Sequence, residues 1–167
     1  MAISAALLSE FDMEMANTRK VLERVPDDKF DWKPHAKSMT LRQLAVHVGF
    51  FPRWAIETLE KSALDIAPVG GEGYKTPPVN SRQELLETFD RDLVKARKDL
   101  ESSSDAHFME TWTLLAGGKT IFAMPRVAVF RSSVMNHMIH HRAQLGVYLR
   151  LNDVAIPGLY GPSADEK

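Results

Sequence analysis

The chain has 167 residues, 44% hydrophobic and 26% charged, with a formal net charge of −1. This is the size and composition of one globular domain, large enough to bury a core without disulfides or a structural metal. It has no cysteine, which excludes disulfides, thiolate nucleophiles and cysteine-based metal sites, and the balanced charge argues against a polyanion-binding surface spread over the molecule.

The N-terminal stretch MAISAALLSEFDMEM has no basic region and turns acidic early, unlike a signal peptide. No apolar run approaches the ~20 residues of a membrane span. The expectation is a cytoplasmic protein that binds neither nucleic acid nor membrane. Ile3, Leu7, Phe11, Met15, Thr18, Leu22 and Val25 recur at helical spacing, so the first helix should run from about Ile3 to Val25 and stop at Pro26. An irregular loop, DKFDWKPHAKSM, follows.

Thr40-Leu41-Arg42-Gln43 fits a capping box and opens a second helix, whose apolar face reads Leu41, Leu44, Val48, Phe51, Ala55 and Leu59. His47 falls on that face. Pro52 predicts a kink or a break, and the helical stretch should end near Leu64. The segment from Asp65 to Asn80 carries three glycines and three prolines; so long a loop is often part of a binding site. Ser81 to Glu84 fits a second capping box, starting a helix buried through Leu85, Phe89, Leu93, Ala96 and Leu100. Thr111–Leu115 and Lys119–Phe122 then read as a short β-hairpin around Gly117-Gly118. The last helix should start near Pro125 and reach about Asn152, with Phe130, Val134, His137, His141, Leu145 and Tyr148 on one face. The reading is an all-α four-helix bundle over residues 1–152, with a short β-hairpin before the last helix and an extended tail over residues 153–167.

The chemistry concentrates in the histidines. His137 and His141 are spaced i, i+4, which sets two imidazoles on one helix face ~5–6 Å apart at Cβ. His47 lies on the inward face of another helix, and a third imidazole from there would complete a three-histidine set with positions left for water or substrate. Buried, hydrogen-bonded core histidines are the competing reading, and pattern alone leaves both open. His140 is ~100° round the helix from His141 and reads as exposed, interfacial or supporting. His35 reads as a surface residue, and His107 has no assigned role. Arg142 and Gln144 read as structural links between the helix end and the tail. Gly70-Gly71-Glu72-Gly73 lacks the context of a phosphate loop, and Ser132 and Ser133 form no catalytic triad.

Two stretches carry a resemblance. Asp31-Trp32-Lys33-Pro34 with Ser38 to His47, and His137 to Leu145, are similar to the two motifs of the DinB-like (DinB/YfiT) metalloprotein superfamily; Ala143 stands where many members have glycine. The resemblance implies a four-helix bundle, often a homodimer, holding a divalent metal (zinc or nickel first, iron or manganese next) with residues matching His47, His137 and His141. It implies action on a small-molecule substrate, as a metal-dependent hydrolase or as an S-transferase using an external low-molecular-weight thiol. No catalytic residue beyond the metal set follows from it. The alternative is a non-catalytic, metal-stabilised bundle that binds a small molecule or partner.

Overall fold

A computed structural model describes residues 2–76 and 78–166. Helix α1 covers Ile3–Leu22 and is followed by a single 3₁₀ turn at Asp27–Lys29. Its expected stripe is inward: Leu7, Phe11, Met15, Thr18 and Leu22 are buried, as is Val25 just beyond the helix. The helical stretch that follows is broken, as the proline allowed, into α2 (Leu41–Gly49) and α3 (Phe51–Glu60). The break falls at Phe50 (φ −94°, ψ 2°), ahead of Pro52. Pro52 therefore sits in the first turn of α3, where its missing N–H takes nothing from the helix.

The chain leaves α3 at Glu60, earlier than expected, because Ala63–Asp65 form strand β1. Helix α4 covers Arg82–Ser102 and the short α5 covers Asp105–Met109. The second capping box is half formed. Ser81 accepts from the Glu84 amide, but the Glu84 carboxylate reaches the Asn80 N–H at 2.7 Å instead of the Ser81 N–H. Strands β2 (Thr111–Ala116) and β3 (Lys119–Pro125) form the expected antiparallel hairpin, with an irregularity between Leu114 and Leu115. Its two-residue turn, Gly117-Gly118, has φ of +61° and +74°, a type I′ requirement that glycine meets without strain.

The all-α expectation is corrected here. β1 pairs in parallel with β2, giving a three-stranded sheet in the order β1-β2-β3 on a mainly helical protein. Asp65, at the end of β1, explains part of the join. Its carboxylate accepts from the N–H groups of Gly117 (3.0 Å) and Gly118 (2.7 Å), tying the strand to the hairpin turn. Trp112, fully buried, fixes the other end by donating from Nε1 to the Glu57 carbonyl of α3.

The last helical stretch is continuous but not uniform: α6 (Arg126–Val129), a π-helical segment (Phe130–Asn136), then α7 (His137–Leu151). α7 packs against α2 and α1, and α4 against α1 and α3. It closes at Asp153, whose φ of 58° supplies the left-handed cap while the Val154 amide returns to the Leu149 carbonyl at 3.0 Å. Beyond it the chain has no helix or strand but is not loose: Val154, Ile156 and Leu159 pack on the core. Among the described residues no helix is long and apolar enough to cross a membrane.

Candidate metal centre

The capping box expected at the start of α2 is complete. Thr40 accepts from the Gln43 amide, and Gln43 Oε1 accepts from the Thr40 N–H at 2.8 Å. Two more first-turn amides are satisfied by the preceding loop, Leu41 N–H by the Trp32 carbonyl (2.8 Å) and Arg42 N–H by the Phe30 carbonyl (3.0 Å). The loop is itself pinned to α7 by the edge-on packing of Trp32 on Tyr148, 5.5 Å between ring centres. This start fixes the rotation of α2, and with it the direction of His47.

On the facing stretch, the π-helical segment ends directly before His137. Such segments offset the side-chain register by a residue relative to an α-helix and occur often at functional sites. His137 and His141 follow in regular α-helix, one turn apart. The ring centre of His47 lies 5.2 Å from that of His137 and 4.4 Å from that of His141, and the two α7 rings are 4.7 Å apart. One ring nitrogen from each of the three lies within 4.8 Å of the others, a group that could hold a metal ion. Phe51 packs edge-on against both His47 (5.1 Å) and His137 (5.0 Å), so the break between α2 and α3 also places the aromatic wall of the site.

The site stands at the rim of the core, not inside it. His47 and His141 are partly buried, whereas His137, expected on a buried face, is exposed. Hydrogen bonds specify the rings. His141 Nδ1 meets Gln144 Oε1 at 2.8 Å; since that oxygen only accepts, Nδ1 carries the proton and Nε2 keeps its lone pair. The Gln144 amide nitrogen in turn donates to His140 Nε2 at 3.1 Å. His137 Nε2 and His141 Nε2 then face each other at 2.9 Å. His47 Nε2 is buried and has no hydrogen-bond partner among the described residues. Burial, reinforced by repulsion from His141 and His137, pushes the His47 imidazole down to about 4, and burial with the neighbouring His141 also lowers His137.

Two cavities open beside the cluster. One, of about 450 Å³, reaches His47; the other, of about 370 Å³, reaches His141 and Gln144; Met39 lines both. The long loop expected to border a site does so, contributing Thr76, Pro78 and Val79 to the first cavity; Pro77 lies outside the described residues.

His35 is exposed, as expected, and accepts from the Lys37 amide. His107, given no role from the sequence, has a structural one: it binds the Leu59 carbonyl at 2.7 Å and holds α5 to the end of α3. Arg142 does link to the tail, through Tyr160. Gln144 does not: it braces His140 and His141. Sequence reasoning missed that brace and the Phe51 wall. The Gln144 brace had a signal, an amide three residues after a candidate ligand on the same helix.

These features define a mainly helical protein with a three-imidazole cluster at the junction of two helices. The chain belongs to the DinB family, whose sequence pattern matches it over residues 1–167. Its fold is similar to that of a DinB-like protein from Bacillus cereus, with a TM-score of 0.70 at 21% identity over 95% of this chain and 98% of the other. A DinB-like protein from Bacillus subtilis gives 0.67 at 18% identity over 97% and 99% of the two chains. No curated protein matches the chain.

Proposed function

We propose that the chain binds a divalent metal ion through His47, His137 and His141 and acts with it on a small-molecule substrate. The observation that carries this reading is the approach of His137 Nε2 and His141 Nε2 to 2.9 Å. The His141 Nδ1 proton is engaged by Gln144, so His141 Nε2 turns its lone pair toward His137 Nε2. Two imidazole nitrogens this close share either a proton or a cation. Ligand nitrogens at 2.0–2.1 Å from one ion sit about 3.0–3.4 Å apart, close to the spacing found. The unpartnered His47 Nε2 is the third donor, kept neutral by its burial.

An all-imidazole set suits zinc and nickel first, with iron and manganese behind them. Bound there, the ion supplies Lewis acidity toward a water or thiol nucleophile. The protein's own contribution is to favour the neutral form of His47 and His137 through burial, to fix the His141 ring through Gln144, and to leave access through two flanking cavities. Those cavities favour a substrate-accessible site over a closed structural one. The reaction class is hydrolysis or thiol S-transfer, and with no cysteine in the chain a transferred sulfur comes from an external low-molecular-weight thiol. The wider reading places this site in a four-helix bundle, formed by α1, α2 with α3, α4 and α6 with α7, that works as a cytoplasmic homodimer.

Elemental analysis of protein purified without a histidine tag tests the metal. The expected result is about one equivalent of metal per chain after refilling with zinc or nickel, and near-complete loss of uptake in His137→Ala and His141→Ala. Less than about 0.1 equivalent in the refilled wild type overturns the reading.

A further inference from the structure

The cavity beside His47 has a composition that names a ligand class. Its walls are mainly apolar, from Met39, Val46, Pro78 and Val79, and its volume of about 450 Å³ falls in the range of small-molecule sites. Into this apolar space comes one fully charged side chain, Arg42. Arg42 is five residues before His47 on α2, about 7.5 Å along the helix axis, so one small molecule can reach both.

The Arg42 guanidinium is held but not neutralised. It stacks over the Phe30 ring with 5.1 Å to the ring centre, and its backbone N–H is fixed by the Phe30 carbonyl. Its one acidic contact is a single 3.3 Å bond from Nη2 to Asp31 Oδ1, and the Asp31 side chain is 91% exposed. So exposed a pair contributes little. Arg42 Nε is buried and has no hydrogen-bond partner among the described residues. The side chain as a whole is 39% exposed, so its terminal nitrogens, weakly engaged by Asp31, are the planar fork that a carboxylate can reach. Gln43 lines the same cavity; its Oε1 is committed to the Thr40 N–H, so it offers the cavity its amide N–H groups.

We propose that this cavity binds the substrate, and that Arg42 pairs with a carboxylate carried by an otherwise apolar small molecule whose reacting end faces His47. A carboxylate fits better than a phosphate because a single guanidinium matches one negative charge, and no second lysine or arginine lines the cavity among the described residues. The proposal deepens the metal-site reading and rests on it for the reaction, but the carboxylate pocket is made by α2 and the loop, without the α7 histidines.

The test therefore uses full-length, chelator-treated, metal-free protein, with 3-phenylpropanoate and its primary amide as probes in calorimetric titrations. The carboxylate should bind at least about tenfold more tightly than the amide, a difference of about 1.4 kcal/mol. NMR shifts on carboxylate addition should centre on the amides of Leu41 to His47 and on Val79. Arg42→Gln should bring the two probes within about twofold of each other. Because the wild-type comparison of the two probes needs no variant, a poorly folded Arg42→Gln does not decide the matter. Equal binding of acid and amide by the wild type overturns the proposal, as does an acid preference that survives in Arg42→Gln. Acid binding that develops only after zinc loading and vanishes in His137→Ala also overturns it, because the carboxylate then goes to the metal. Failure of the metal reading is separate and shows in the uptake measurement alone.

Discussion

Gln144 sits between His140 and His141, and its amide determines which His141 nitrogen carries the proton. Its oxygen takes the Nδ1 proton at 2.8 Å while its nitrogen is anchored on His140 Nε2 at 3.1 Å. A ligand whose far nitrogen is held this way is both oriented and made more basic, and loss of such a brace typically weakens metal binding by about 10–100-fold. Gln144→Leu keeps the bulk on an exposed position and removes both bonds. Zinc affinity, measured by competition with a chromophoric chelator, should fall within that range while the melting temperature of the metal-free protein stays close to wild type; unchanged affinity would remove Gln144 from this role. The three imidazoles were legible from spacing and from their apolar stripes, because the helical period places i, i+4 pairs together. That His137 is exposed was not legible, since a stripe gives the direction of a side chain but not how far the neighbouring helices extend over it. Arg42 was equally hidden: in sequence it is an ordinary first-turn arginine, and only the fold sets it in a cavity with an unpartnered Nε.

Among the elements, the best-read were those with local causes. The cap at Thr40, the Gly-Gly hairpin and the apolar stripes of α1 and α4 each depend on residues a few positions apart. β1 was missed because its partner, β2, is some fifty residues away, and three residues, Ala63–Asp65, carry too little pattern to announce a strand. The break at Phe50 was displaced from the expected site at Pro52 for a packing reason. α2 approaches α4 at Gly49 so closely that a Cβ there would stand 2.5 Å from Leu85 Cδ1. Leu85 is fully buried and has little room to yield. Gly49→Ala sets two effects against each other: alanine favours a helix by about 1 kcal/mol over glycine, while forcing a methyl into a filled core costs about 1–3 kcal/mol. At 2.5 Å the clash wins, so net destabilisation of about 1–2 kcal/mol should show as a lower urea midpoint with an unchanged slope. Because Phe51, two residues on, walls His47 and His137, the same variant should also weaken metal uptake. A stabilised Gly49→Ala would mean that Leu85 moves aside and that the break has another cause.

At the scale of the molecule, one buried polar cluster joins parts of the chain that the sequence keeps far apart. Arg142 of α7 is 2% exposed and Glu14 of α1 is 3% exposed, and they pair at 2.6 Å. Arg142 also donates to the Glu14 carbonyl (2.9 Å) and to Thr18 Oγ1 (3.0 Å). Tyr160 of the tail accepts from Arg142 (2.5 Å) and donates to the Glu14 carboxylate (2.8 Å). In sequence Arg142 reads as a link to the tail, but nothing local marks Glu14 as its partner 128 residues away. Arg142 is next to His141, so the cluster that seats the tail also holds the helix turn that carries a candidate metal ligand. Removing one charge strands the other: Arg142→Met leaves Glu14 buried without its cation and should cost about 3–5 kcal/mol. Removing both charges avoids that penalty, since a buried pair replaced by well-packed apolar groups is often neutral or stabilising. The double variant Glu14→Leu with Arg142→Met should therefore recover most of the stability lost by Arg142→Met alone, read from urea unfolding of the metal-free protein. Losses that simply add across the two sites would mean that the hydrogen bonds to the Glu14 carbonyl, Thr18 and Tyr160, and not the ion pair, hold α1, α7 and the tail together.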